Sequence, residues 1–389
     1  TLGIMPAHAW SSLPIEQLPF SQLNTEPIGT GPYMITTAER DTSGLISGYT
    51  LSAFRDNEVK PKIDNLQLDF FGSEDELLVA LQEGEVDATA YVSPENINTV
   101  PLPEFTPIEE ALPRTFGVFF NQNRSMILRD SSVREALTIA LNREELVAEA
   151  FSGHGVPIES PVNFPETEIE STDNLASTST STPIQLASEI LEDGGWERND
   201  VGAWEKEIDS ESVVLSVTLR TSNAPLFNSL STLIADQWRA LGVEVVTEQF
   251  EQSGLIQSVI RPRDFQALLF GHDMSRTNDL YPIWHSSQQD DPGLNVAQYA
   301  NVQVDELLES ARAEQSQADR LEILREASEI IIEERPAIFI AQPTLTYLIH
   351  EDLVVTEMNR LGRPADRFQN IAEWHTESDS LWPFFRQER

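Results

Sequence analysis

Between Val213 and Phe270 the sequence alternates in a way that leaves few folds open. Val213–Arg220 alternates apolar and polar residues with period two, the spacing of a half-buried strand. Pro225–Leu241 places apolar residues every three to four positions, which predicts an amphipathic helix closed by Gly242. Val243–Phe250 is a second strand, and a short helix leads to a third at Phe265–Phe270. Strand–helix–strand at these spacings predicts right-handed crossovers onto a sheet covered by helices, an α/β fold.

The rest of the chain repeats the theme. Ser73-Glu-Asp-Glu76 is a capping box ahead of Leu77, Leu78, Ala80 and Leu81, with Gly84 as the stop. Ser131 or Ser132 starts a helix through Val133, Ala136, Leu137 and Ala140, and Asn142 caps another. Thr182-Pro183 opens a helix that ends at Gly194-Gly195. Val304–Ala313 and Ala318–Glu334 read as helices, Ala337–Ala341 and Leu345–Ile349 as strands. Glu166–Ser181 is polar, rich in Ser and Thr, and without period, so it is expected to be a solvated surface excursion. No internal repeat is visible.

Charge excludes one class of partner. Lys and Arg number 25 against 64 Asp and Glu, a formal net charge of −39, and such a surface repels nucleic-acid phosphates. With 40% hydrophobic residues, the chain nevertheless has enough apolar material for sizeable cores. The only lysines are Lys60, Lys62 and Lys206, every other cation being Arg. Abundant carboxylates with scarce Lys point to a salt-adapted protein, because concentrated salt screens carboxylate repulsion within a few ångströms.

The chemistry-bearing residues argue against an enzyme. There is no Cys, which excludes disulfides, thiolate metal sites and thiol nucleophiles. The six His form no HxxxH or HExxH pair, so no metal is expected. No GxSxG elbow or phosphate-cradling GxxxxGK[ST] loop occurs. No cofactor is expected. Carboxylates are too numerous to single out a hydrolytic dyad, and no apolar run reaches the ~18 residues of a membrane span.

Several strings then fall in a familiar order. They are Ile4-Met-Pro-Ala-His-Ala-Trp10, Gly29-Thr-Gly-Pro-Tyr33, Pro61-Lys-Ile-Asp64 with Leu77–Asp87, and Phe119-Phe-Asn121. Val133-Arg-Glu-Ala-Leu137 with Ile139–Arg143 follows, then Glu334-Arg-Pro-Ala-Ile338 with Gln342-Pro343. Together they resemble the extracellular solute-binding proteins of ABC importers, family 5, the dipeptide, oligopeptide and nickel binders. The resemblance implies a type II periplasmic-binding-protein fold, with two lobes joined by hinge strands. Lobe I is expected at 1–114 with 344–389, lacking its opening strands, and lobe II at 115–343. It also implies that the natural chain begins before Thr1, carrying an export signal or lipid anchor that is its only tie to the membrane.

The resemblance places ligand contacts in the segment Phe270–His285, which follows a strand as ligand loops do in doubly wound sheets. Candidates are His272, Asp273, Met274, Arg276, Tyr281 and Trp284, with Asn121 and Tyr299 as weaker members. The sequence departs from the family here. The family's loop Trp is absent, and Arg276 or Ser275 falls where its peptide binders carry the Asp that pairs with the ligand's amino terminus. Asp273 is the nearby substitute, whereas Arg276 either holds an anionic group or pairs with Asp279. Trp284 and Tyr281 either stack on the ligand or belong to the core. Asn121 is read mainly as a backbone tie. The hinge strand carries Ala341 where the family usually has Tyr.

The expected function is capture of an extracytoplasmic solute, above all a peptide, by lobe closure, with delivery to permease and ATPase subunits. A monomer is expected. Oligosaccharides and metal chelates stay open as ligands; an extracellular hydrolase and a solute-sensing receptor stay open as alternatives.

Overall fold

The structure, a computed structural model, describes residues 5–97, 101–162, 182–274, 278–356, 361 and 363–376. The expected excursion at 166–181 lies outside them. Two units are distinguished by their internal contacts, Thr1–Glu109 with Thr346–Arg389, and Glu110–Leu345.

In the first unit, short helical turns over 7–24 precede an antiparallel sheet of β1 (Tyr33–Arg40), β2 (Ile46–Ala53) and β3 (Asn65–Asp69). The Gly-Thr-Gly-Pro turn that launches β1 is held from outside. Asn57 Nδ2 donates to the carbonyls of Thr30 and Gly31 at 3.0 and 2.9 Å, and the Tyr33 hydroxyl donates to Ile63 at 3.0 Å. Helix α1 (Glu74–Gln82) starts as its sequence predicts, with Ser73 Oγ accepting from the Glu76 amide. The Glu76 carboxylate reaches back one residue further than in a capping box, to the amide of Gly72 at 2.9 Å. Leu78, Leu81, Val92 and Leu348 form the small core of this unit. Strand β4 (Phe105–Ala111) leads towards the second unit.

Strand β5 (Arg114–Phe120) buries every residue after its first, which marks it as the centre of a sheet covered on both faces. Helices α2 (Ser131–Ile139) and α3 (Arg143–Ala150) follow, then β6 (Gly155–Pro157) and α4 (Pro183–Asp193). Asp130, Asn142 and Thr182 cap the three helices through their side chains. A small three-stranded sheet comprises β7 (Glu197–Arg198), β8 (Trp204–Ile208) and β9 (Glu211–Val214). Strand β10 (Ser216–Ser222), helix α5 (Pro225–Ala240) and β11 (Glu244–Phe250) form the parallel unit that the sequence announces. Val213 belongs to β9 rather than to β10: the chain changes sheets at Leu215, whose amide donates to Trp204. Strand β12 (Ala267–Asp273), helices α6 (Val302–Ala313) and α7 (Gln317–Glu334), and the part of β13 (Ala337–His350) up to Leu345 complete the unit.

The main sheet runs β11-β10-β12-β5-β13-β4, with β6 also on β13. Strand β10 is parallel to β11 and β12, whereas β12 and β13 are antiparallel to β5. The two strands expected at the hinge are one, β13, although Pro343 cannot donate to a ladder. It is tolerated opposite the three-residue β6, where Gln342 pairs with Val156 and Pro343 with Gly155. Gly117 is required where β5 meets β13, because a Cβ there would lie 2.6 Å from the Ile338 carbonyl oxygen.

Period-two alternation sorts the strand side chains into two apolar layers. Phe116, Val118 and Phe120 face one layer with Leu137, Leu191, Trp196, Trp204, Leu230 and Trp238. Phe119, Leu268 and Phe339 face the other with Leu308, Leu324, Ala327 and Ile331. The three tryptophans of the first layer satisfy their indole N–H groups on Asp130, Leu241 and Leu137, so burial at roughly 2–3 kcal/mol each carries no orphaned donor.

Candidate functional site at the end of strand β12

Strand β12 leaves the sheet beside the start of β5, with His272 opposite Thr115 and Asp273 opposite Arg114. The next residue is tied to β5's approach, the Met274 amide donating to the Pro113 carbonyl at 2.6 Å. Alternation then decides the roles. His272 points inward, 6% exposed, edge-on to Phe119 at 4.8 Å and to Phe270 at 5.6 Å. Burial, and then the positive charge of Arg263, push its pKa down to about 4, so the ring is neutral at pH 7. Asp273 points outward, and its carboxylate lies 3.7 Å from the Arg114 guanidinium. Both side chains are largely exposed, at 61% and 48%, and the gap exceeds hydrogen-bond length, so both keep free bonding capacity.

The segment after the strand is fastened to α6. Asp279 takes three bonds from Arg312, from Nε at 3.2 Å to Oδ1 and 3.1 Å to Oδ2, and from Nη2 at 2.6 Å to Oδ2. The same guanidinium sits 3.8 Å above the centre of the Tyr281 ring. The His285 imidazole stacks on that ring at 4.0 Å with 22° between planes. Two groups at such distances take one face each, so Tyr281 has no free face for a ligand ring. Its hydroxyl is paired with Ser287 Oγ at 3.2 Å. His285 is itself buried, with Nδ1 accepting from the Ser287 amide at 3.1 Å and Nε2 3.3 Å from Glu309.

Five of the remaining candidates are interior. Trp284 is 1% exposed and packs among Phe119, Tyr299 and Phe339, so the core reading replaces stacking on a ligand. Met274 and Tyr299 belong to the same apolar layer. The Tyr299 hydroxyl donates to Glu334 at 2.5 Å, and burial followed by that carboxylate raises its pKa. Asn121 is a backbone tie, donating to Arg263 O at 2.9 Å and accepting from Asn123 N at 3.1 Å. His272 is the fifth. Arg276 and its neighbour Ser275 lie outside the described residues. Asp279 accepts from Arg312, and its expected pairing with Arg276 falls on a residue outside the described ones.

Three fasteners were not singled out by sequence. Asn295, fully buried, donates to His285 O at 3.1 Å and Tyr299 O at 2.8 Å and accepts from the Tyr299 amide. Arg263 donates to the carbonyls of Gln289 and Gly293 at 3.0 and 2.6 Å. Arg312 lies 33 residues beyond its carboxylate, so no local spacing signals it. Among the described residues, no group of His, Asp and Glu is arranged to hold a metal ion, and no helix is long and apolar enough to cross a membrane.

Comparison with known proteins places this arrangement. The model of the bacterial extracellular solute-binding proteins, family 5 (middle region), matches residues 4–292. The oligopeptide-binding protein AppA of Bacillus subtilis is 26% identical over 392 residues, 96% of this chain and 66% of AppA. The dipeptide-binding protein of Escherichia coli is 21% identical over 357 residues, 90% of this chain and 62% of its own. The chain thus spans less than two thirds of these curated relatives. The structure of Bacillus subtilis AppA with a nonapeptide superposes with a TM-score of 0.61 at 23% identity, covering 96% of this chain and 72% of that one. The relatives are binding proteins rather than enzymes, and the fold is the α/β fold of periplasmic binding proteins. On these grounds the chain belongs to family 5 of the bacterial extracellular solute-binding proteins.

Proposed function

We propose that this chain is the solute-capturing component of an ABC importer and that its solute is a peptide. The observation that carries the reading is the family match over residues 4–292, joined by likeness to an oligopeptide-binding protein along 96% of the chain. Capture proceeds by closure of two lobes, residues 1–114 with 344–389 and residues 115–343, without covalent chemistry. The chain works outside the cytoplasm as a monomer and hands its solute to permease subunits driven by ATPases.

Within the second unit, Asp273 and Arg114 are the side chains proposed to meet the solute. The support is their exposure and their incomplete bond to each other, together with the interior placement of His272, Met274, Trp284 and Tyr299. Asp273 receives the peptide's ammonium terminus, and Arg114 pairs with a carboxylate or carbonyl oxygen.

A thermal-shift and calorimetric screen of tri- to nonapeptides and of oligosaccharides, in molar KCl, tests the reading. Saturable stabilisation by peptides with no hydrolysis product is expected. Stabilisation by oligosaccharides alone, or release of cleaved peptide, overturns it.

A further inference from the structure

The Arg312 guanidinium does two things with one group. Its edge bonds the Asp279 carboxylate at 2.6 and 3.1 Å, and its face covers the Tyr281 ring at 3.8 Å. Asp279 in turn accepts from the Tyr281 amide at 3.2 Å, so carboxylate, ring and cation close a small circuit. The opposite face of the ring carries His285, and Ser286 beside it is pinned to α6 through Asp305, whose carboxylate accepts from the Ser286 amide at 2.8 Å and its hydroxyl at 2.5 Å. Asn278, at the head of the segment, holds a left-handed φ of +50°, a backbone state that needs support from its surroundings.

We infer that Arg312 is a positioning residue for solute binding: through Asp279 and Tyr281 it locks the Asn278–His285 segment onto helix α6. The inference rests on the solute-binding reading above. Arg312 need not touch the solute. It removes the freedom of residues 278–285, so less order has to be imposed there when a solute arrives. A planar, bidentate and stacking group is needed for both contacts at once, which Arg supplies and Lys does not.

The test uses Arg312→Gln and Arg312→Lys in the full 389-residue chain. Hydrogen exchange of the 278–285 amides is expected to quicken about tenfold in R312Q, and by less in R312K, which keeps the charge but loses the stack. The Kd for a nonapeptide probe with free termini is expected to rise about tenfold in R312Q and to an intermediate value in R312K, the thermal midpoint moving only by a few degrees. Unchanged exchange, or a lowered midpoint with a wild-type Kd, reduces Arg312 to a surface ion pair and overturns the inference. If the wild-type chain binds no peptide, the functional reading fails separately, and the exchange measurement still decides whether the lock exists.

Discussion

The Arg134 guanidinium donates twice to the Glu334 carbonyl oxygen, at 3.2 Å from Nε and 3.0 Å from Nη2, joining residues 200 apart in sequence. Its Nη1 donates to the carbonyls of Leu128 and Arg129, both at 2.9 Å. One side chain therefore satisfies the end of α7 and the turn before α2. Arg134→Met fills similar space but leaves the buried Leu128 carbonyl and the half-buried carbonyls of Arg129 and Glu334 without these donors. A loss of about 3 kcal/mol is expected, read as an earlier denaturation midpoint, whereas Arg129→Met, with its side chain at the surface, costs well under 1 kcal/mol.

His272 sets a pH dependence with a definite sign. Its folded pKa, about 4, lies below the ordinary histidine value of 6.5. Above pH 6.5 neither state binds the proton and the full stability is present. As pH falls from 6.5 to 4 the unfolded chain takes up a proton that the folded ring refuses, so stability declines by up to about 3 kcal/mol. His272→Leu is expected to remove this component. A difference curve between variant and wild type that stays flat from pH 7.5 to 4 would falsify it.

Asp130 joins three groups: it caps α2 through Ser132, accepts from Lys206 Nζ at 2.7 Å and from the Trp196 indole at 3.2 Å. Burial works against its charge, but these bonds outweigh burial and hold its carboxyl below the ordinary range. Its contribution is therefore present at neutral pH and lost only as pH falls through that lowered folded value. Asp130→Ala is expected to cost about 2 kcal/mol, and a double-mutant cycle with Lys206→Met to show coupling of about 1 kcal/mol. Additivity of the two substitutions would reject the pairing.

Asp273 separates binding from folding. Because its side chain is 61% exposed, Asp273→Asn is expected to shift stability by no more than about 0.5 kcal/mol. It is expected to weaken binding of a free-amino-terminus peptide about tenfold, and to leave an N-acetylated peptide unaffected. Equal loss for both peptides, by calorimetry, would place the ammonium contact elsewhere.

The charge of −39 predicts a salt response. At 1 M salt the screening length is about 3 Å, so repulsion among exposed carboxylates fades while close, half-buried pairs such as Asp130–Lys206 are screened less. The thermal midpoint is expected to rise by at least several degrees between 0.1 and 2 M KCl. A midpoint indifferent to KCl would remove salt adaptation as the reason for the missing lysines.

Much of this protein was legible locally. The caps at Ser73, Asn142 and Thr182 act within three residues of themselves, and the Val213–Phe270 alternation needs only strand and helix periods to be read. Element ends moved where tertiary contacts intervened. Leu215 changes sheets because Trp204 receives its amide, and β13 runs through Pro343 because a short neighbour asks no donor of it.

The candidate site divides along the same line. Sequence alone determined which residues cluster after a strand, since proximity along the chain and order of motifs are one-dimensional properties. Only the tertiary structure decided which of them face solvent. A period of two sends His272 inward and Asp273 outward, but which face is interior depends on the layer holding Phe119, and that layer is assembled from α6, α7 and β13. Tyr281 stayed open to either stacking or core because Arg312, which covers one face of its ring, arrives only when α6 packs beside the segment, while His285, four residues on, covers the other. Periodicity and capping are set by neighbours along the chain; occupancy of a ring face is set by neighbours in space, and the chain does not list those in order.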